Sequence, residues 1–145
     1  MSMETKLLEK FLKRENKIAI IGVSGNPRKW GYKIYKSLRS AGFNVYPINP
    51  KYTKINGDIC YPNLGSVLKS GKVDVVITVV PPSVTEHIVE QCRELGIGRI
   101  WMQPGSESER AISLCKENGI DVIYNVCFVV DGLKKLMKSK NVQDL

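Results

Sequence analysis

Apolar and polar positions follow two rhythms along the chain. Leu7, Leu8, Phe11 and Leu12 recur at helical spacing and predict an amphipathic N-terminal helix within residues 1–15. Residues 17–24 (KIAIIGVS) are apolar and β-branched without interruption, as expected of a strand buried on both faces of a parallel sheet. Ile34, Tyr35, Leu38 and Ala41 mark one face of a helix that Gly42 is placed to end. Residues 44–50 read as a second strand stopped by Pro50, residues 59–61 as a short strand and 64–69 as a short helix. Residues 73–80 (VDVVITVV) form the clearest central strand, halted by Pro81 and Pro82. Val84, Ile88, Val89, Cys92 and Leu95 share a helical face closed by Gly96, and residues 99–103 are the next strand. Ser106 and Glu109 have capping-box spacing, predicting a helix that begins there and runs to Asn118 and Gly119. Residues 121–126 are the last strand, and the basic tail, 131–145, is predicted helical.

Strands separated by helices of this length imply βαβ crossovers. The expected architecture is α/β, Rossmann-like and doubly wound, with a mostly parallel sheet of about five strands and helices on both faces. At 145 residues the chain fits a single domain spanning 1–145.

Composition narrows the function classes. An apolar fraction of 43% and a charged fraction of 25% suit a packed core. No apolar stretch approaches the ~20 residues of a membrane span, and the charged N-terminus lacks the apolar core of a signal peptide. The expected location is therefore cytoplasmic. Cys60, Cys92, Cys115 and Cys127 form no C-x-x-C pair, and His87 is the single histidine, so reduced thiols are expected rather than a zinc site or a disulfide framework. The net charge of +8 could attract nucleic acid or a small polyanion. Its bases are dispersed, with Lys6, Lys10, Lys13 and Arg14 at one end and Lys134, Lys135, Lys138 and Lys140 at the other. They read as solvated faces of terminal helices without the aromatic platform of a single-strand binder, so neither nucleic acid nor membrane is an expected partner.

In an open parallel sheet, ligands collect at the carboxyl ends of the strands. The loop after the first strand, from Gly22 to Gly31, is the most informative. Gly22 and Gly25 let backbone N–H groups approach a ligand, Ser24 offers a hydroxyl, and Arg28 or Lys29 can neutralise phosphate. The dinucleotide fingerprint G-x-G-x-x-G is not met, because Ser24 holds the middle glycine position and Pro27 the third. The carboxylate that would bind the ribose of NAD is also missing, since the second strand ends in Asn49, Pro50 and Lys51. Lys51 favours a phosphate, leaving NADP or a 3′-phosphorylated adenosine.

Four loop motifs together resemble the family of small stand-alone CoA-binding domains, similar to the N-terminal domain of the succinyl-CoA synthetase α-subunit. They are Ile21-Gly22-Val23-Ser24 with Pro27, Gly31 and Tyr32; Pro47-Ile48-Asn49-Pro50; Val79-Val80-Pro81-Pro82; and Ile100-Trp101-Met102-Gln103-Pro104-Gly105. The likeness covers about residues 16–130. It implies non-covalent binding of coenzyme A or acyl-CoA, with Gly22, Ser24, Asn26 and Lys29 at the diphosphate and Tyr32 also among the binding residues. Asn49, Pro50 and Lys51 would meet the adenosine and its phosphate, Val80 and Pro81 the adenine, and Gln103 and Gly105 the pantetheine. The basic chain complements a ligand of about four negative charges.

No catalytic group stands out. His87 lies inside a helix and does not match the phosphohistidine of the synthetases, and Glu107 and Glu109 flank a helix start. Ser106 reads as a cap. Cys127, just after the last strand, could exchange with CoA disulfides or simply fill space as a small hydrophobe. The expected role is a carrier, sensor or accessory protein without its own catalysis. The alternatives are an NADP-binding oxidoreductase and a detached subunit of an acyl-CoA synthetase. Apolar faces on the terminal helices could support a homodimer, and a synthetase subunit is the other candidate partner.

Overall fold

A computed structural model describes residues 3–134. Five parallel strands form one sheet in the order β2-β1-β5-β6-β7: Asn44–Ile48, Lys17–Ile21, Val75–Thr78, Arg99–Met102 and Asp121–Ile123. The α/β, Rossmann-like expectation holds. Because their side chains alternate between faces, Ile18, Ile20, Val75, Ile77 and Trp101 enter one core, and Ala19, Ile21, Val76, Ile100 and Met102 the other. The first core is covered by α1 (Met3–Phe11), α2 (Trp30–Ser40) and a π-helical segment (Phe128–Leu133). The second lies under α3 (Leu64–Ser70), α4 (Pro82–Leu95) and α5 (Glu109–Glu117).

Several elements differ from the sequence expectation. The first strand stops at Ile21, because Gly22 turns to φ +98° and its N–H bonds across to the Ile48 carbonyl at 3.0 Å. The expected strand at 59–61 is instead an antiparallel hairpin of β3 (Lys54–Ile55) and β4 (Asp58–Ile59), followed by a single bridge from Tyr61 to Ile48. Asn56 and Gly57, both at positive φ, make its turn. Asp58 fastens the hairpin to α2 by accepting from the Tyr35 hydroxyl and pairing with Arg39 at 2.8 Å.

Ser106 does not cap α5. The cap is Ser108, whose hydroxyl accepts from the Ala111 N–H at 3.0 Å, while Ser106 is buried and bonded to Thr78 at the tips of β5 and β6. The face of α1 expected to be free for a dimer is packed internally: Leu8, Phe11 and Leu12 are buried, and Phe11 meets Trp101 edge to face at 5.7 Å. The tail is π-helical over Phe128–Leu133, and Gly132 lets it pass Trp101, since a Cβ there would stand 2.8 Å from the indole. Of the tail expected to be helical, 135–145, with Lys135, Lys138 and Lys140, lies outside the described residues. Among the described residues no helix is long and apolar enough to cross a membrane.

Candidate functional site

The strand order places the site. The chain steps from β1 outward to β2, then crosses back to β5 on the other side of β1. The loops after β1 and β5 therefore leave the sheet in opposite directions and open a crevice at its carboxyl edge. A cavity of about 260 Å³ lies there. Gly22, Asn49, Pro50 and Val80, all expected from the sequence, line it. Pattern reading missed Pro62 and Asn63 ahead of α3, and Val84, Ile88 and Gln91 on α4. Their i, i+4, i+7 spacing marks one helical face; Ile88 is buried, whereas Val84 and Gln91 are exposed where that face reaches the crevice.

Beside the cavity, the loop after β1 is organised by its own polar groups. Ser24 Oγ accepts from the Asn26 N–H, and Asn26 Oδ1 from the Arg28 N–H, both at 3.0 Å. The loop delivers the chain to α2, whose N-cap Lys29 makes no side-chain cap and whose first turn has no carboxylate. The N–H groups of Trp30, Gly31 and Tyr32 precede the first intrahelical bond, Lys33 to Lys29, so the positive end of the helix is left for an anion. By contrast, α3 and α5 are capped by Asn63 and Ser108. α4 also lacks a side-chain cap, but Pro82 has no N–H, and Val84 and Thr85 both donate to the Pro81 carbonyl. α2 therefore has more unpaired N–H groups at its start than α4.

Asn49 locks the two loops together. Its Nδ2 donates to the Val23 carbonyl at 3.0 Å and its Oδ1 accepts from the Lys51 N–H at 2.9 Å. Lys51 is exposed beside the glycine loop, where it and Lys29 both act on the Tyr52 phenol. Apolar crevice and cationic loop thus adjoin.

The remaining expected residues are placed differently. Tyr32 is half-buried on α2, packed against the first core, with Lys36 Nζ 5.9 Å from its ring centre. Pro81 is exposed at the start of α4 and does not line the cavity. Gln103 is buried, its amide donating to Cys127 Sγ at 3.3 Å and accepting from the Phe128 N–H at 2.8 Å. Gly105 is exposed at φ +93°, its N–H bonded to Glu107 at 2.8 Å. A larger hollow of about 610 Å³ opens at the start of α5, but Glu107 and Glu109 on its wall would repel a polyanion.

The described residues hold no group of three or more metal-ligating side chains. His87 is exposed on α4. All four cysteines are free, and burial pushes the thiols of Cys92 and Cys115 up to about 12.

A parallel sheet with an apolar crevice and an uncapped, cation-flanked helix at its switch point defines a Rossmann-like α/β domain. The chain belongs to the CoA binding domain family, whose model matches residues 16–132. It is 36% identical over 88 residues to an ADP-forming acetate–CoA ligase of Methanocaldococcus jannaschii, a match of 61% of this chain and 12% of the ligase. Among solved structures, a hypothetical protein from Pyrococcus horikoshii matches at TM-score 0.83 and 30% identity, covering 92% of both chains. A conserved hypothetical protein from Pyrococcus furiosus matches at TM-score 0.75 and 39% identity, covering 80% of this chain and 98% of that one.

Proposed function

We propose that the chain binds coenzyme A or an acyl-CoA non-covalently at the carboxyl edge of its sheet, as a carrier, sensor or accessory protein of the cytoplasm. The adenosine would enter the crevice between Pro50 and Val80, where apolar walls suit a purine face. The diphosphate would rest on the Gly22–Gly31 loop, among the α2 N–H groups and Lys29, and Lys51 would read the 3′-phosphate. Four free thiols support a reducing compartment. One observation carries the reading: Gly22 and Pro50 line an apolar cavity where the strand order reverses, and the chain leads from them directly into Lys51 and into the loop that carries Lys29 to the uncapped start of α2.

Calorimetry with CoA, dephospho-CoA, NADP and ATP tests it. CoA is expected to bind tightest, and Lys51→Ala to abolish the preference for CoA over dephospho-CoA. That preference is expected to be about tenfold or more, the scale of one charge-assisted hydrogen bond. ATP binding as tight as CoA binding would overturn the reading, and tighter NADP binding would favour an oxidoreductase instead. The match to part of an acetate–CoA ligase favours a second reading, in which the chain supplies the CoA site of a larger ligase. Adding the complementary ligase subunits and assaying acyl-CoA formation separates that role from a solitary carrier.

A further inference from the structure

Donors and cations around the β1 loop converge on an oxygen that carries no charge. The Tyr52 hydroxyl stands 3.5 Å from Ser24 Oγ. Since Ser24 Oγ already accepts from the Asn26 N–H, its own proton is free to be donated outward. The Gly25 backbone lies against the Tyr52 ring, and Lys51 and Lys29 add positive potential at the phenol. The Ser24 hydroxyl, then the Gly25 backbone, lower the phenol from its ordinary value against partial desolvation, and the two lysines reinforce them. Glycine at 25 makes the approach possible, because a Cβ there would sit 2.9 Å from the Tyr52 ring. Tyr52 is in turn held at the loop base by its N–H bond to the Asn49 carbonyl at 3.3 Å.

Such surroundings suit an anionic oxygen better than a neutral phenol. We propose that the Tyr52 hydroxyl occupies the position of a phosphate oxygen, and that a diphosphate-bearing ligand binds by displacing it. The 3.5 Å separation from Ser24 makes the phenol a weak occupant, easily exchanged for a charged acceptor. Naming coenzyme A as that ligand rests on the reading above, whereas the anion position rests on the loop geometry.

The test uses the full chain labelled with tyrosine carrying ¹³C at Cζ, the Tyr52 resonance being the one lost in Tyr52→Phe. CoA and inorganic pyrophosphate are titrated in separately. Both are expected to shift the Tyr52 resonance and to return its titration towards the ordinary tyrosine range. Tyr52→Phe is expected to bind each roughly two- to tenfold tighter, because a competing hydrogen bond is removed while the ring stays in place. An unmoved Tyr52 resonance at saturation, equal or weaker binding by Tyr52→Phe, or binding of neither probe overturns the proposal. Displacement by pyrophosphate without CoA binding keeps this inference and rejects the CoA reading. CoA binding that leaves Tyr52 in place does the reverse.

Discussion

The carbonyl oxygen of Gly22 stands 2.2 Å from where a Cβ on Gly31 would lie. The first turn of α2 therefore presses directly on the end of β1, and this contact sets the loop between them. Gly22 is confined in turn, at φ +98° and with its own Cβ position 2.3 Å from the Val79 carbonyl oxygen at the end of β5. These two glycines set how closely the loops after β1 and β5 approach across the switch point.

Gly31→Ala is thus expected to destabilise the fold by about 1–3 kcal/mol, the usual range for overpacking, and to weaken CoA binding by moving the start of α2 off the loop. Gly98→Ala is the control, having nothing within 4 Å of its Cβ position and no positive φ, and should stay within about 0.5 kcal/mol of the parent. Urea denaturation measures both. Equal stabilities would show that the close approach relaxes freely.

Alkaline pH is expected to destabilise the domain through Cys92 and Cys115. Burial of both, with the neighbouring Cys115 thiolate adding to the effect on Cys92, raises these thiols from 9.0 to about 12. Between those values the unfolded chain releases protons that the folded chain retains, so stability falls as pH rises, by up to about 1.4 kcal/mol per pH unit for each thiol. Below pH 9 this contribution is constant. Comparing urea midpoints of the parent and Cys92→Ala/Cys115→Ala from pH 8 to pH 10.5 isolates it from the tyrosines and lysines. Parallel pH profiles would contradict the assignment.

The start of α5 provides a third check. Ser108→Ala removes the hydroxyl that accepts from the Ala111 N–H and donates to Glu86, and should reduce stability by about 1 kcal/mol. It should leave CoA affinity unchanged, because Ser108 lies away from the crevice between β1 and β5. Thermal denaturation and calorimetry on the same variant report the two properties. A loss of CoA affinity would extend the ligand site to α5.

Much of the fold was legible because the three central strands are buried on both faces and the helices on one. Ile18 to Ile21 and Val75 to Ile77 are buried without a polar interruption, so their run of apolar residues identifies them as parallel strands. Ile34, Tyr35 and Leu38 are the buried face of α2, as their spacing predicts. The short hairpin was harder to read. Its strands have two residues each, too few for a period, although Asn56-Gly57 carried the turn signal. Ser106 misled for a different reason: two serines lie within reach of the α5 start, and packing gave the cap to Ser108 while burying Ser106 against Thr78.

Local chemistry written in the sequence established the strand–loop–helix alternation, the glycines at the first loop and the polar tips of the strands. It also brought Gly22, Asn49, Pro50 and Val80 forward as neighbours of one crevice. Only the tertiary structure decided that α4 supplies that crevice with Val84 and Gln91, that the Gln103 amide is turned to Cys127 and Phe128, and that Tyr52 lies against Ser24. Periodicity reports which face of an element avoids water, but not which distant element covers it. The order β2-β1-β5-β6-β7 assigned those partners, because sheet packing brings together residues far apart in the chain.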